Sequence, residues 1–348
     1  MSDAQHLPVS LTSLLGREDL LGLIESLLSQ STARLITITG PGGIGKTRLA
    51  LELAHRLNAQ FAAGSSWVSL AGVQNPADVP AVIASSLNID LPTGGSALAA
   101  LASHFAQRDA LLILDNFEQV IPAAPVLADL LQAGTSLRIM VTSRTVLNIS
   151  GEHRVALTPL ALPDLRADTH TTPEAAGFPA VRLFVERAQA ATGSFALTAD
   201  NVADVIAICR ALDGLPLAIE LAAARLRHFP LSTINARLED RFSLLVDGPR
   251  DRPVRHQSLH VAIDWSYQLL SPQAQALLRQ MAALPAGCTL GTARMLGGTE
   301  HRTEPELLEL FSTLVDCSLA FPLPDPQHEP RYGMLETIRQ FGLGQLKL

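Results

Sequence analysis

Between residues 34 and 160 short apolar runs alternate with stretches of helical periodicity. The runs at 34–39, 65–70, 110–114, 137–142 and 153–158 predict five strands. Apolar positions three and four apart predict helices near 46–59, 77–87, 96–107 and 119–132. Such alternation gives one doubly wound domain, a parallel sheet covered on both faces, with its ligand at the carboxyl ends of the strands. Ahead of it, a polar lead over 1–13 runs into a helix opening at Leu14-Leu-Gly-Arg-Glu18, with Leu20, Ile24, Leu27 and Leu28 on one face.

Beyond 160 the period-two runs stop. Residues 161–178 are rich in Pro, Asp and Thr without periodicity and predict a linker. Helices follow at 180–188, 201–212 and 215–227, with Thr198 or Asp200 as N-cap of the second. Gly214 ends one helix, and Pro216 sits in the first turn of the next, where its missing N–H costs nothing. Residues 247–258 predict a second linker whose three arginines and histidine form a solvated loop. Helices near 259–269, 272–284 and 304–316, a hairpin at 318–322 and 330–334, and a last helix from Leu335 predict a winged-helix module. The expected organisation is an α/β domain over 1–160, an all-α helical domain over 179–246 and a winged-helix domain over 259–348.

Composition narrows the function classes. With 348 residues and 47% hydrophobic content the chain is long enough for two or three cored domains. A net charge of -7 supplies no basic surplus for nucleic acid. Cys209, Cys288 and Cys317 lack metal-ligand or redox spacing and read as buried thiols of a reducing compartment. The N-terminus has no signal-like segment and no apolar run reaches membrane-spanning length, so the expected location is the cytoplasm.

The chemistry concentrates at residues 40–47, GPGGIGKT, directly after the first strand. The stretch matches G-x-x-x-x-G-K-[ST] through Gly40, Gly45, Lys46 and Thr47, with further glycines at 42 and 43. A glycine-rich turn that opens a helix presents a row of backbone N–H groups to phosphate, reinforced by the helix dipole. Lys46 is placed to reach the β- and γ-phosphates and the Thr47 hydroxyl to hold Mg²⁺. Lysine occurs only at positions 46 and 347, which makes a chance match improbable.

Two later strand ends belong with this loop. Ala110-Leu-Leu-Ile-Leu114 ends in Asp115, the position of a Walker B carboxylate that serves Mg²⁺. Asn116 follows where motor-type ATPases place a second acid, so slow hydrolysis is expected, with Glu118 near enough to substitute in part. Leu137-Arg-Ile-Met-Val141 leads into Thr142-Ser143-Arg144, whose guanidinium can sense the γ-phosphate. Metal-ligand clusters, the H-E-x-x-H and G-x-S-x-G motifs and internal repeats are missing from the sequence.

In order and spacing, Leu15-Gly-Arg-Glu18, GPGGIGKT, Leu112-Ile-Leu-Asp115, Val141-Thr-Ser-Arg144 and Gly214-Leu-Pro-Leu-Ala-Ile-Glu220 resemble the STAND NTPases. More narrowly, they resemble the bacterial NB-ARC-type ATPases of LuxR-type and AfsR-like transcriptional regulators. The resemblance covers about residues 11–345. It implies a switch in which a P-loop domain, a helical domain and a winged-helix domain close over ADP, and exchange for ATP permits oligomerisation. By the same resemblance Gly16 and Arg17 line the base and ribose, and Gly40, Pro41, Gly42, Gly43, Ile44, Gly45, Lys46, Thr47 and Arg48 cradle the phosphates. Asp115 serves Mg²⁺, Arg144 senses the γ-phosphate and Pro216 touches the adenine. The implied partners are an adenine nucleotide, further copies of the chain in the ATP state, an unidentified inducer or sensor domain, and DNA only through an effector region.

One departure stands out. Many relatives carry Met-His-Asp in the winged-helix module, with the histidine on the ADP β-phosphate; the matching Met334-Leu335-Glu336 has none. Relatives also continue into helical repeats and an effector domain, which implies a fragment or a short form. A small-molecule kinase and an AAA-type remodelling ATPase share the P-loop. The first wants an acceptor pocket and an arginine-rich lid, the second an acid beside Asp115, and neither feature is in the sequence.

Overall fold

The computed structural model describes residues 7–9, 12–30, 33–91, 95–163, 171–238, 245, 258–296, 302–323 and 330–346. They form two compact units, Met1–Gly40 with Gly45–Leu157, and Pro41–Ile44 with Thr158–Leu348.

The first unit is built on a five-stranded, all-parallel sheet: β1 Leu35–Thr39, β2 Ser65–Ser69, β3 Leu111–Asp115, β4 Arg138–Ser143 and β5 Glu152–Ala156. Their order is β2-β3-β4-β1-β5, so β1 lies between β4 and β5, and its carboxyl end is flanked on both sides. Strands β1 and β3 are buried at every position, as strands covered on both faces must be. Along β3 and β4, Leu112, Leu114, Ile139 and Val141 point into one core. They meet Val79 and Ile83 of α3 (Val79–Ser86), Leu101 and Phe105 of α4 (Ala97–Phe105), and Leu127 and Leu130 of α5 (Ala124–Ala133). The alternate positions face α2 (Lys46–Leu57), which buries Leu49, Leu53 and Leu57. Helix α1 (Glu18–Ser29) packs against α2. Its buried face is Leu21, Ile24 and Leu28; Leu20 and Leu27, expected on that face, flank it instead.

The second unit contains α6 (Thr172–Gly177), α7 (Pro179–Thr192), α8 (Val202–Ala211), α9 (Pro216–Ala224) and α10 (Leu231–Ala236). It continues with α11 (Leu259–Gln268), α12 (Pro272–Ala282), α13 (Leu290–Met295), α14 (Glu304–Asp316) and α15 (Glu336–Leu346). A small antiparallel sheet joins β6 (Cys288–Thr289), β7 (Phe321–Leu323) and β8 (Arg331–Gly333) in the order β6-β8-β7. Small residues let α9 lie close to α7, where Arg187 pairs with Glu220 at 3.2 Å.

Several sequence expectations are corrected. Helix α6 lies inside the stretch read as a linker, because Thr171 and Glu174 form a reciprocal capping box that starts it. Neither Thr198 nor Asp200 is the N-cap of α8; that position is Asn201, whose side chain instead accepts from the Thr198 N–H at 2.9 Å. Helices α10 and α13 and strand β6 are too short to show a period, so the sequence pattern does not predict them. The linker 247–258 lies outside the described residues except for Ser258.

Candidate functional site

The site forms where β1, β3 and β4 end. Strand β1 delivers the chain at Gly40, and three glycines then take positive φ: Gly40 at 152°, Gly43 at 79° and Gly45 at 100°. Residues with a Cβ avoid such angles, so the loop shape is written in the glycine pattern. Gly45 is the N-cap of α2; no side chain caps the helix and no acid lies in its first turn. The N–H groups of that turn therefore keep their capacity for an anion, and the dipole favours one there.

Lys46 is buried and its Nζ donates to the Gly40 carbonyl at 2.7 Å, folding the side chain back along its own loop. At the end of β3 the buried Asp115 accepts two hydroxyl hydrogen bonds on one oxygen. Thr47 Oγ1 donates to Oδ1 at 2.8 Å and Thr142 Oγ1 donates to the same atom at 2.6 Å. Thr142 also accepts from the Asn116 N–H at 3.0 Å. Asn116 holds φ at 67°, a left-handed conformation asparagine tolerates better than most residues. The chain thereby turns so that Glu118, three residues past Asp115, is buried and meets Arg144: Nε donates to Oε1 at 3.1 Å. The two side chains are only 2% and 5% exposed. The second oxygen of Glu118 is buried with no hydrogen-bond partner.

The structure thus brings Thr47 and Asp115 into direct contact, as their motifs require. Hydroxyl and carboxylate oxygens are the hard ligands Mg²⁺ takes when phosphates supply others, so this pair fits that ion. Among the described residues there is no group of three or more His, Cys, Asp or Glu that could hold a metal. Gly16 (φ 63°) and Arg17 form the turn that opens α1. Arg17 is buried, and burial holds its guanidinium below the ordinary arginine value, partly offset by the charge of Glu18. Arg48, in the first turn of α2, is half-buried. In the second unit Pro216 is the first residue of α9, and the next N–H, of Leu217, donates to the Gly43 carbonyl at 3.2 Å. A Cβ on Gly43 would come within 2.8 Å of Leu217 Cβ, so this approach also demands glycine.

Two residues acquire parts that sequence reading did not give them. Thr142, two residues before Arg144 in the sequence, is the second partner of Asp115. The β3–β4 register pairs Leu114 with Val141, which sets the following residues side by side, and register is not visible in a single sequence. Glu118, near enough to Asp115 to substitute in part for a second acid, is the ion-pair partner of Arg144.

Residues 29–152 match a family described as an AAA domain. A protein of Mycobacterium tuberculosis whose name describes it as an HTH-type transcriptional regulator, Rv0890c, is 34% identical over 324 residues, 93% of this chain. The regulatory protein AfsR of Streptomyces coelicolor is 28% identical over 90% of the chain. The chain spans only about a third of these proteins, 35% and 31% of their lengths. The uncharacterized protein Rv0894 of M. tuberculosis is 33% identical over 338 residues, 97% of this chain and 82% of that protein. Among solved structures, the Walker-type ATPase PABY2304 of Pyrococcus abyssi superposes with a TM-score of 0.60 at 14% identity, covering 95% of this chain and 96% of that one. At that identity the likeness concerns the fold, which is that of a P-loop ATPase. No helix among the described residues is long and apolar enough to cross a membrane.

Proposed function

The chain belongs to the family of Rv0894, and we propose that it is an ATP- and ADP-binding molecular switch of the STAND, NB-ARC-like kind. It would act within or beside a transcriptional regulator, by ADP-to-ATP exchange and self-association, with slow hydrolysis. The observation that carries this reading is the engagement of the acids at the strand ends. Asp115 is held by two threonine hydroxyls and Glu118 by Arg144, while the position after Asp115 is an asparagine. A motor needs a carboxylate poised to activate water beside the γ-phosphate. Here Glu118 must first leave Arg144, so turnover is gated by a rearrangement and the bound nucleotide persists as a state.

In this reading the α2 N-terminus and Lys46 bind the phosphates, Thr47 and Asp115 hold Mg²⁺, and Gly16 and Arg17 contact the nucleoside. Bound Mg²⁺ supplies charge neutralisation on the β- and γ-phosphates. Arg144 reads whether the γ-phosphate is present and passes that on through Glu118. A ligand moves a two-state equilibrium only through differential affinity, and an arginine that meets ATP but not ADP provides it. We read residues 259–348 as a winged-helix module, with no DNA contact assigned to it. The exposed face of α14 carries Glu304, Glu306 and Glu309, which repel a phosphate backbone.

The test is the nucleotide content of the purified protein, by acid release and chromatography, beside Lys46→Ala. Near-stoichiometric ADP in the wild type, lost in the variant, is the expected result. An empty wild type that turns ATP over at many cycles per second would refute the switch and favour a motor or kinase.

A further inference from the structure

Helix α15 lacks a cap of its own. Its N-cap residue is Leu335, whose carbonyl accepts the Arg339 N–H at 2.9 Å and whose apolar side chain cannot satisfy the first-turn amides. Glu336 is occupied elsewhere, accepting from Arg339 at 2.6 and 2.7 Å and from Gln340 at 2.8 Å. The cap comes instead from Asp213, in the loop between α8 and α9. Its Oδ1 accepts the Glu336 N–H at 3.1 Å; its Oδ2 accepts the Thr337 N–H at 2.7 Å and the Thr337 hydroxyl at 2.8 Å. Thr337 is fully buried.

The loop that offers this carboxylate is crimped. Asp213 (φ 54°) and Gly214 (φ 66°) are both left-handed, and the Gly214 N–H returns to the Cys209 carbonyl at 3.0 Å, closing α8. Glycine is the unstrained choice at a left-handed position, so an aspartate at 213 gives up backbone comfort for its side chain. The Gly214 carbonyl accepts the Leu160 N–H at 3.0 Å, and a Cβ on Gly214 would lie 2.4 Å from the Leu160 carbonyl oxygen, so the loop cannot shift that way. Three residues on, Leu217 donates its N–H to the Gly43 carbonyl of the phosphate loop at 3.2 Å. On the far side, α15 is seated on α12, with Gly342 against Ala282 and Arg339 donating to the Ala282 carbonyl at 3.3 Å. A continuous set of contacts therefore runs from α12 and α15 through Asp213 to the tip of the phosphate loop.

We propose that Asp213 is a latch: its carboxylate holds α15 on the α8–α9 loop and keeps that loop on the phosphate loop, and its release is the step that frees ADP. The latch engages the first two residues of α15, Glu336 and Thr337, and does its holding by capping a helix. The inference rests on the switch reading above.

The experiment uses the full chain loaded with a fluorescent ADP analogue and follows its release after a chase with unlabelled ATP. Hydrogen exchange of peptides covering 334–340 is measured in parallel. Three proteins are compared with wild type: Asp213→Ala, the milder Thr337→Val, and Asp213→Ala with Leu335→Ser, which restores a local cap without restoring the tie. The expected result is release at least tenfold faster in Asp213→Ala, a smaller acceleration in Thr337→Val, and loss of protection at 334–340. In the double variant, protection should return while release stays fast. Slow release in Asp213→Ala despite lost protection would overturn the latch and leave the switch standing. Slow release restored in the double variant would reduce Asp213 to a helix stabiliser and also overturn it. A wild type that retains no ADP would remove the switch reading, and the latch with it.

Discussion

The buried pair of Glu118 and Arg144 allows a quantitative test of how the site is built. At 3.1 Å and an effective dielectric near 20, two unit charges attract by about 5 kcal/mol. Desolvation offsets much of that, so the pair as a whole adds little net stability. Removing one partner is different, because the other charge stays buried, and the usual cost is roughly 3–5 kcal/mol. Glu118→Leu should therefore lower the melting temperature by about 6–20 °C, taking roughly 2–4 °C per kcal/mol for a unit of this size. Glu118→Leu with Arg144→Met, which replaces both charges by apolar groups, should recover most of the loss. The assay is urea unfolding followed by Trp67 fluorescence in a Trp265→Phe background, because Trp67 lies in β2 and reports on the first unit. A coupling of at least about 2 kcal/mol is expected from the four-protein cycle. Additivity within about 0.5 kcal/mol would refute the argument, since it would mean the two groups do not depend on each other.

Other consequences follow from particular contacts. Gly214→Ala places a Cβ 2.4 Å from the Leu160 carbonyl oxygen at a positive φ and should cost about 2–4 kcal/mol in urea unfolding. Gly344→Ala, in α15 with open space around it, should be neutral or stabilising by up to about 1 kcal/mol. Thr142→Val removes one of the two hydroxyls on Asp115 and should weaken Mg²⁺-dependent ATP binding by about tenfold in a titration, less than the loss in Asp115→Asn. Burial pushes the Cys288 thiol up to about 11 and drives that of Cys209 further in the same direction. The folded state therefore keeps protons that the unfolded chain releases above pH ~9, and stability should fall as pH rises through that range. Neither thiol should react with a disulfide reagent at pH 7 before unfolding.

Sequence reading located the strands of the first unit to within a residue or two, because a buried parallel strand is a short apolar run between turns. It located the phosphate loop because glycine, lysine and threonine at fixed spacing have few other uses. It did less well where a structure is short or its partner distant. Helix α6 sits in a polar stretch and is started by a capping box, with no apolar period to mark it, and α10, α13 and β6 carry too few residues to show a period.

What the sequence by itself determined is local: the five strands, the glycine loop with Lys46 and Thr47, and an acid at the end of β3. These are written in periods of two and 3.6 residues and in turns of a few residues, so a linear reading reaches them. What only the tertiary structure decided is which distant group each polar atom meets. The order β2-β3-β4-β1-β5 sets β4 beside β3 and so gives Asp115 its Thr142 and Glu118 its Arg144. The packing of the second unit gives Asp213 to α15 across more than a hundred residues. Buried carboxylates must find donors, and the fold, not the spacing along the chain, decides which donors are near enough.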